Sequence, residues 1–594
     1  MADSYFDTDD ITKEYDSRIV RRILFYLKPY RGLIVLTVIA LIISTLGELF
    51  IPVLQQRIID DAILAKNIPL LLKGSILYFI VLTLVFGFTF CQTLTANFMT
   101  QRVMKDMRIN LFSKTISQST GFLSRHPVGR IVTRLTSDVE TMEEFFTSVL
   151  VAFLKDISIM TGAVVTMFIL SPQLALMVLV TLPPVVVVTF ISRIKARDAF
   201  RRQRTASSKV FAYLAERLAG IQVVQLFRQE KRSSKEFKRG NSELLDANLK
   251  EMYVFASFRP AVEWFSAFTA AVVIVVGSKM ALSLSISLGV LIAFINLVQM
   301  FYNPVTDIAE KYTMLQSAMA GGEKVFKLMD VDEHIPDKGT YSINEKIQPA
   351  VGRLVEFDNV HFAYKKGEDV LRGLTFTVKP AQMAAIVGYT GAGKTTIINV
   401  LARLWDIDSG VIRLDGIPIK DIPLEQLRRC IMPVMQDVTL FSGTIEENIS
   451  LGLELSQEEV IEAAKTVYAH EFISSLPLGY KTLLSERAAN ISTGQRQLIS
   501  FARVIAHNPG VVVLDEATSS IDTETERLIQ LGMKKALAGR TSFVIAHRLS
   551  TIKDADSIMV LSSGRLVEEG SHEQLIARNG LYAGLYRLQY QDGF

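Results

Sequence analysis

The stretch Gly388-Tyr389-Thr390-Gly391-Ala392-Gly393-Lys394-Thr395 fits the pattern G-x-x-x-x-G-K-[ST]. An apolar run at residues 384–387 precedes it and reads as a strand, and residues 396–404 read as a helix. A phosphate-binding loop needs those flanks. Glycines let successive backbone N–H groups curl around phosphate oxygens, Lys394 reaches the β- and γ-phosphates, and the Thr395 hydroxyl suits Mg²⁺. The positive end of the following helix faces the same anion. Gly388, Thr390, Gly391, Gly393, Lys394, Thr395 and Thr396 are the candidate nucleotide residues of this loop. A Gly-rich structural turn is the competing reading of the stretch taken alone.

A second element weighs against that alternative. Val511-Val512-Val513-Leu514-Asp515-Glu516 is an unbroken apolar run ending in two carboxylates. Such a run is the signature of a buried parallel strand, and open α/β sheets collect function at the carboxyl ends of their strands. Asp515 is then placed for the Mg²⁺ shell and Glu516 for polarising a water against the γ-phosphate. Together the two elements point to a site that binds and hydrolyses a nucleoside triphosphate.

The rest of the chain is of another kind. With 594 residues, 49% hydrophobic and 21% charged, and a mean hydropathy of +0.30, it is too apolar for a purely soluble protein. A net charge of +4 and no interleaving of aromatic with basic residues give no case for nucleic acid. Two distant cysteines, Cys91 and Cys430, exclude a disulfide framework, and seven scattered histidines lack ligand spacing.

Six apolar windows long enough to cross a membrane lie at 32–54, 71–98, 149–170, 174–194, 261–281 and 288–305. A charged amphipathic stretch leads into the first, unlike a cleavable signal peptide. Long basic segments follow the second and fourth windows, with Arg102, Lys105, Arg108 and Lys114 in one and Arg193, Lys195, Arg197, Arg201, Arg202 and Arg204 in the other. The links between windows three and four, and five and six, are short and nearly free of Lys and Arg. This asymmetry puts both termini and the basic segments in the cytoplasm. Apolar residues at helical spacing (Val210-Phe211, Leu214, Leu218, Val223-Val224) make the basic segments helices that leave the bilayer and return. Pro183-Pro184 is expected to kink the fourth window. The expected organisation is a six-helix membrane bundle with cytoplasmic extensions over 1–328, a linker at 329–349, and an α/β phosphate-loop domain over 350–594.

A membrane half followed by this nucleotide half resembles the ATP-binding cassette (ABC) exporters, specifically their half-transporters, over essentially the whole chain. Further residues stand where that family has its motifs. Tyr364 resembles the aromatic that stacks on adenine, and Gln436 the glutamine that contacts Mg²⁺ and faces the membrane half. Ile491-Ser492-Thr493-Gly494-Gln495 occupies the place of the signature, Ser519-Ser520-Ile521-Asp522 that of the D-loop, and His547 that of the switch histidine. The resemblance implies ATP and Mg²⁺ as cofactors and catalytic roles for Glu516, His547 and Gln436, with Asp515 and Thr395 on the metal. It implies a second chain, whose signature helix, the counterpart of Ser492, Thr493, Gly494 and Gln495, would cover the ATP held here, with Asp522 at the dimer contact. Short coupling helices would lie near 117–126 and 210–217, with Glu486-Arg487 near that interface. The implied location is the cytoplasmic membrane of a bacterium.

The family signature usually reads Leu-Ser-Gly-Gly-Gln. Here Ile491 and Thr493 replace its Leu and first Gly, and Ala488 stands where Gly is frequent. Thr493 adds a side chain where backbone should approach a phosphate, which favours one subunit of a heterodimer over a homodimer that tolerates the change. Glu48, Lys155, Asp156 and Glu263 are ionisable groups at apparent membrane depth. Glu48 and Glu263 are candidates to meet cationic or amphipathic cargo; internal pairing is the alternative. The expected function is ATP-driven export of amphipathic small molecules, with a lipid flippase on the same scaffold as a close second. An ATP-gated channel or regulatory membrane ATPase is the competing class. A soluble DNA-maintenance ATPase is incompatible with six inserted spans.

Overall fold

The computed structural model describes residues 17–283, 285–341, 352–515, 523–545 and 552–590. The chain forms two units: Met1–Ile116 with Val128–Val331, and Ser117–Pro127 with Asp332–Phe594. Residues 117–127, expected within the membrane half, pack instead inside the second unit.

The first unit is helical. Among the described residues, six helices are long and apolar enough to cross a membrane: Lys28–Ile63, Ile68–Ile116, Val128–Leu170, Pro172–Ala219, Glu230–Leu282 and Leu288–Asp307. The apolar windows fall inside them, but the helices run on. At 53 residues, Glu230–Leu282 is the longest, and at about 1.5 Å per residue it extends well past a hydrocarbon layer of about 30 Å. Pro183 and Pro184 open the helix Leu182–Ala219 just after a break at Thr181, as expected for residues that lack a usable N–H at a helix start. Thr269 Oγ1 lies 2.9 Å from Thr181 Oγ1 and 3.0 Å from Tyr302 Oη, so a buried hydroxyl cluster joins three spans. Gly162 lets the third span lie against Leu49 of the first; a Cβ there would come within 2.1 Å of Leu49 Cδ1.

One coupling-helix expectation requires correction. Residues 210–217 are an uninterrupted part of Leu182–Ala219, and the short helix is Ile221–Leu226, beyond the Gly220 cap. Helical spacing of apolar residues ran through the cap and concealed the break. Val223, Leu226 and Phe227 are exposed there.

Membrane-depth charges are paired. Lys155 Nζ donates to Glu48 at 2.8 Å, joining the first and third spans, and Lys311 donates to Asp156. Glu263 sits on an exposed helix face and pairs with Arg259 one turn earlier at 3.1 Å. Both carboxylates proposed for cargo therefore have a basic partner in the same unit.

Among its described residues the second unit has two larger sheets and a small one in which β7 (Gly443–Thr444) pairs with β8 (Leu483–Leu484). Strands β1 (Val355–Ala363), β2 (Asp369–Val378), β4 (Ser409–Leu414) and β5 (Ile417–Pro418) form an antiparallel sheet in the order β2-β1-β4-β5. Strands β3 (Met383–Val387), β6 (Ile431–Val434), β9 (Val511–Asp515), β10 (Thr541–Ile545), β11 (Ser557–Ser562) and β12 (Arg565–Gly570) form the second, in the order β12-β11-β3-β10-β9-β6. It is parallel except for its β12 edge. Both faces are covered, which is why its strands read as unbroken apolar runs. Ala385, Val512, Leu514 and Val544 face a helical layer that includes Leu498, Ile499 and Ala502. Ala384, Ile386, Val511, Val513 and Phe543 face the antiparallel sheet, with Ile398 and Leu401 between.

The turn Lys379-Pro380-Ala381-Gln382 delivers the chain into β3, closed by Gln382 N donating to Lys379 O at 3.1 Å. Proline second and a left-handed residue third (Ala381, φ +59°) make a turn whose third position favours glycine. Ala381 is exposed, so its methyl group contributes little by burial. Ala381→Gly is expected to stabilise the second unit by about 0.5–1 kcal/mol; a lower unfolding midpoint in urea than the parent chain would refute this.

Candidate functional site

The parallel pairing builds the site. Ile545 of β10 is paired with Ile386 of β3 on one side and Asp515 of β9 on the other, so the end of β9 is level with the start of the Gly388 loop. Two glycines explain the loop's path. A Cβ on Gly388 would lie 2.4 Å from the carbonyl oxygen of Leu561, a backbone atom that cannot swing away. Gly393 has φ +100° and caps the helix Lys394–Leu401 in a left-handed conformation that L side chains resist.

Lys394 Nζ donates to the carbonyls of Gly388 at 2.8 Å and Tyr389 at 3.1 Å, which holds the ammonium inside the loop. Burial pulls its pKa below the ordinary lysine value, while the charge of Asp515 pulls the other way. A partly desolvated cation at a glycine loop that opens a helix is a strong phosphate site. Thr395 Oγ1 donates to Asp515 Oδ2 at 3.3 Å. These two hard oxygen donors come from elements 120 residues apart. Gln436 lies just past the end of β6, at the same sheet edge, and is exposed.

Tyr364 follows β1. Its hydroxyl donates to Thr396 Oγ1 at 3.2 Å and accepts from Asn399 Nδ2 at 3.0 Å, both on the loop's helix. Its ring meets Phe362 and Trp405 edge-on, with centroids 4.8 and 4.9 Å away. A fixed, half-exposed aromatic beside the phosphate loop suits a purine base. Trp405 also lies against the short helix Thr120–Arg125: a Cβ on Gly121 would come within 2.7 Å of its ring. Ser119 N donates to Glu333 O at 2.8 Å, and Arg125 pairs with Glu333, which fixes that helix to the unit. Sequence reading missed Asn399, Trp405 and Gly121. Their roles rest on contacts between residues 35 or more positions apart, and no spacing encodes them.

The signature residues start the helix Thr493–His507. Ser492 Oγ accepts from Gln495 N at 3.2 Å and Gln495 Oε1 accepts from Ser492 N at 3.0 Å, a reciprocal capping box. Thr493 is exposed, and its hydroxyl accepts from Arg496 at 2.9 Å; Gly494 is buried. Ala488 has φ +50°, the backbone reason glycine suits that position. Thr390 and Gly391 lie in the loop, Gly391 with φ +82°. Glu516, Ser519, Ser520, Ile521, Asp522 and His547 lie outside the described residues.

If Tyr364 depends on Trp405 for its orientation, Trp405→Ala should weaken binding of a fluorescent ATP analogue about three- to tenfold, the range of an edge-to-face contact. Unchanged affinity in a folded variant would remove Trp405 from the site.

Comparison with known proteins agrees with this geometry. Residues 34–305 match the family described as ABC transporter transmembrane region, and residues 371–519 match the family described as ABC transporter. An uncharacterized ABC transporter ATP-binding protein of Bacillus subtilis, YknV, is 38% identical over 590 residues, 99% of this chain and 97% of its own. An ATP-dependent lipid A-core flippase of Syntrophus aciditrophicus is 32% identical over 97% of this chain and 95% of its own. A fatty acid ABC transporter ATP-binding/permease protein of Mycobacterium tuberculosis is 35% identical over 84% of this chain and 78% of its own. The chain belongs to the ATP-binding cassette transporter family, a multi-pass membrane protein with an ATP-binding ABC ATPase on the same polypeptide.

Proposed function

We propose that this chain is half of an exporter that moves an amphipathic lipid or lipid-like small molecule across the cytoplasmic membrane of a bacterium. The observation that carries the reading is the meeting of Lys394, Thr395 and Asp515 at one sheet edge, on a polypeptide with six membrane-length helices. Two similar proteins are described as a lipid A-core flippase and a fatty acid transporter, which supports lipid cargo. The working organisation is membrane half 1–328, linker 329–349 and ATPase 350–594.

In this reading the Gly388 loop and Lys394 hold the phosphates and Tyr364 stacks on the base. Thr395, Asp515 and Gln436 offer the oxygen donors that Mg²⁺ prefers, and the ion would neutralise phosphate charge there. Glu516 orients the attacking water, and His547 contacts the γ-phosphate. A second chain supplies its signature helix, whose counterpart here is the capped start at Ser492, Thr493, Gly494 and Gln495, with Asp522 at the seam. ATP binding then closes two chains together, and hydrolysis releases them. The short helices Thr120–Arg125 and Ile221–Leu226 transmit that motion, biasing the membrane half between two conformations. The exposed Val223, Leu226 and Phe227 are apolar surface that a second chain would cover. Thr493 at the helix start favours a partner of different sequence.

ATPase turnover of the purified chain in lipid, with Glu516→Gln as control, tests this. The chain alone is expected to turn over slowly and to accelerate with a second half-transporter, and the substitution should cut the rate by about a hundredfold or more. Fast turnover of the chain alone, abolished by Glu516→Gln, would replace the heterodimer with a homodimer. Turnover insensitive to the substitution would remove Glu516 from catalysis.

A further inference from the structure

The N-terminal helix Ser17–Phe25 places Ile19 and Ile23 against the rest of its unit while Arg18, Arg21, Leu24 and Phe25 remain exposed. An amphipathic helix that leads directly into a membrane span lies at the bilayer surface. Between it and the helix Ile68–Ile116 is an open groove of about 1030 Å³, lined by Arg22, Phe25, Lys28, Arg31, Asp106 and Ile109 among others.

The groove has two chemically distinct parts. Phe25 is 65% exposed and Ile109 is 54% exposed, giving an apolar wall. The charged groups divide into those already engaged and those that are not. Arg22 makes a bidentate pair with Asp330 at 2.5 and 2.7 Å, and its guanidinium lies over the Phe326 ring at 4.4 Å. Asp106 accepts from Tyr30 Oη at 2.6 Å. Lys28, whose Nζ is 5.4 Å from the Phe25 ring centroid, and Arg31 have no acidic partner among the described residues. Two cations that make no ion pair among the described residues, beside an apolar wall where a span enters the bilayer, match an anionic headgroup with its acyl chain. Basic pockets beside transmembrane helices bind such headgroups, and juxtamembrane cations draw anionic lipid.

We propose that this groove binds one anionic phospholipid, its phosphate held by Lys28 and Arg31 and its acyl chain laid against Phe25 and Ile109. The site is separate from the ATP site and stands whether or not lipid is the transported cargo.

The full chain in detergent micelles, titrated with phosphatidylglycerol or phosphatidylcholine and read by native mass spectrometry, tests this. Phosphatidylglycerol should be retained in preference to phosphatidylcholine. Retention should fall about thirtyfold in Lys28→Gln/Arg31→Gln, the effect of two surface charges. The control Lys235→Gln/Lys238→Gln removes the same charge elsewhere and should leave retention intact. Basal ATPase activity of each variant reports that it is folded. Equal retention by the groove variant and the parent, or equal loss in the control, would overturn the proposal. Inorganic phosphate that displaces the lipid at equal concentration would reassign the site to free phosphate. Retention that emerges only after removal of residues 1–16, which carry six acidic residues, would assign the groove to that segment.

Discussion

The second unit depends on strand register. β10 lies between β3 and β9, and its Ile545 pairs with Ile386 and with Asp515. A slip in either pairing would carry Asp515 away from Thr395 and turn alternate side chains from one layer to the other. Alternation leaves little freedom to slip. Ala384, Ile386, Val511 and Val513 belong to one buried layer, while Ala385, Val512 and Leu514 belong to the other. Packing of two apolar layers thus secures a 3.3 Å polar contact that no local motif could set.

The membrane unit solves a different problem. A charge held within lipid is costly, and a lone partner removed from a buried pair leaves an expensive ion behind. The Glu48–Lys155 and Asp156–Lys311 pairs tie the third span to the first and to the helix that continues the sixth. Lys155 and Asp156 are adjacent in the chain yet face different helices, so one turn of the third span makes polar contact on both sides. With the Thr181–Thr269–Tyr302 cluster, these contacts give an otherwise apolar bundle a specific arrangement.

Much of the fold was legible because its signals are local. Six apolar windows, the strand before Gly388 and the strand ending at Asp515 each occupy one continuous stretch and take the expected form. Local signals failed where a break does not disturb the pattern around it. Apolar spacing runs past Gly220 and does not mark the short helix Ile221–Leu226, which the resemblance alone sets too early, near 210–217. The resemblance implies a short coupling helix near 117–126, but no local signal there marks the contacts that hold it: Gly121 meets Trp405, and Ser119 and Arg125 meet Glu333.

Sequence alone therefore determined the chemistry available: a glycine loop, a lysine, a hydroxyl and a carboxylate in the right order, and helices that suit a bilayer. Those assignments follow from side-chain type and periodicity, which a linear string preserves. Tertiary structure alone decided which polar groups meet. It set Thr395 beside Asp515, braced Tyr364 with Trp405, gave Glu48 to Lys155, and left Lys28 and Arg31 without an acidic partner among the described residues. The physical reason is that burial makes an unpaired polar group costly, and which groups are buried together depends on long-range packing that residue order does not record.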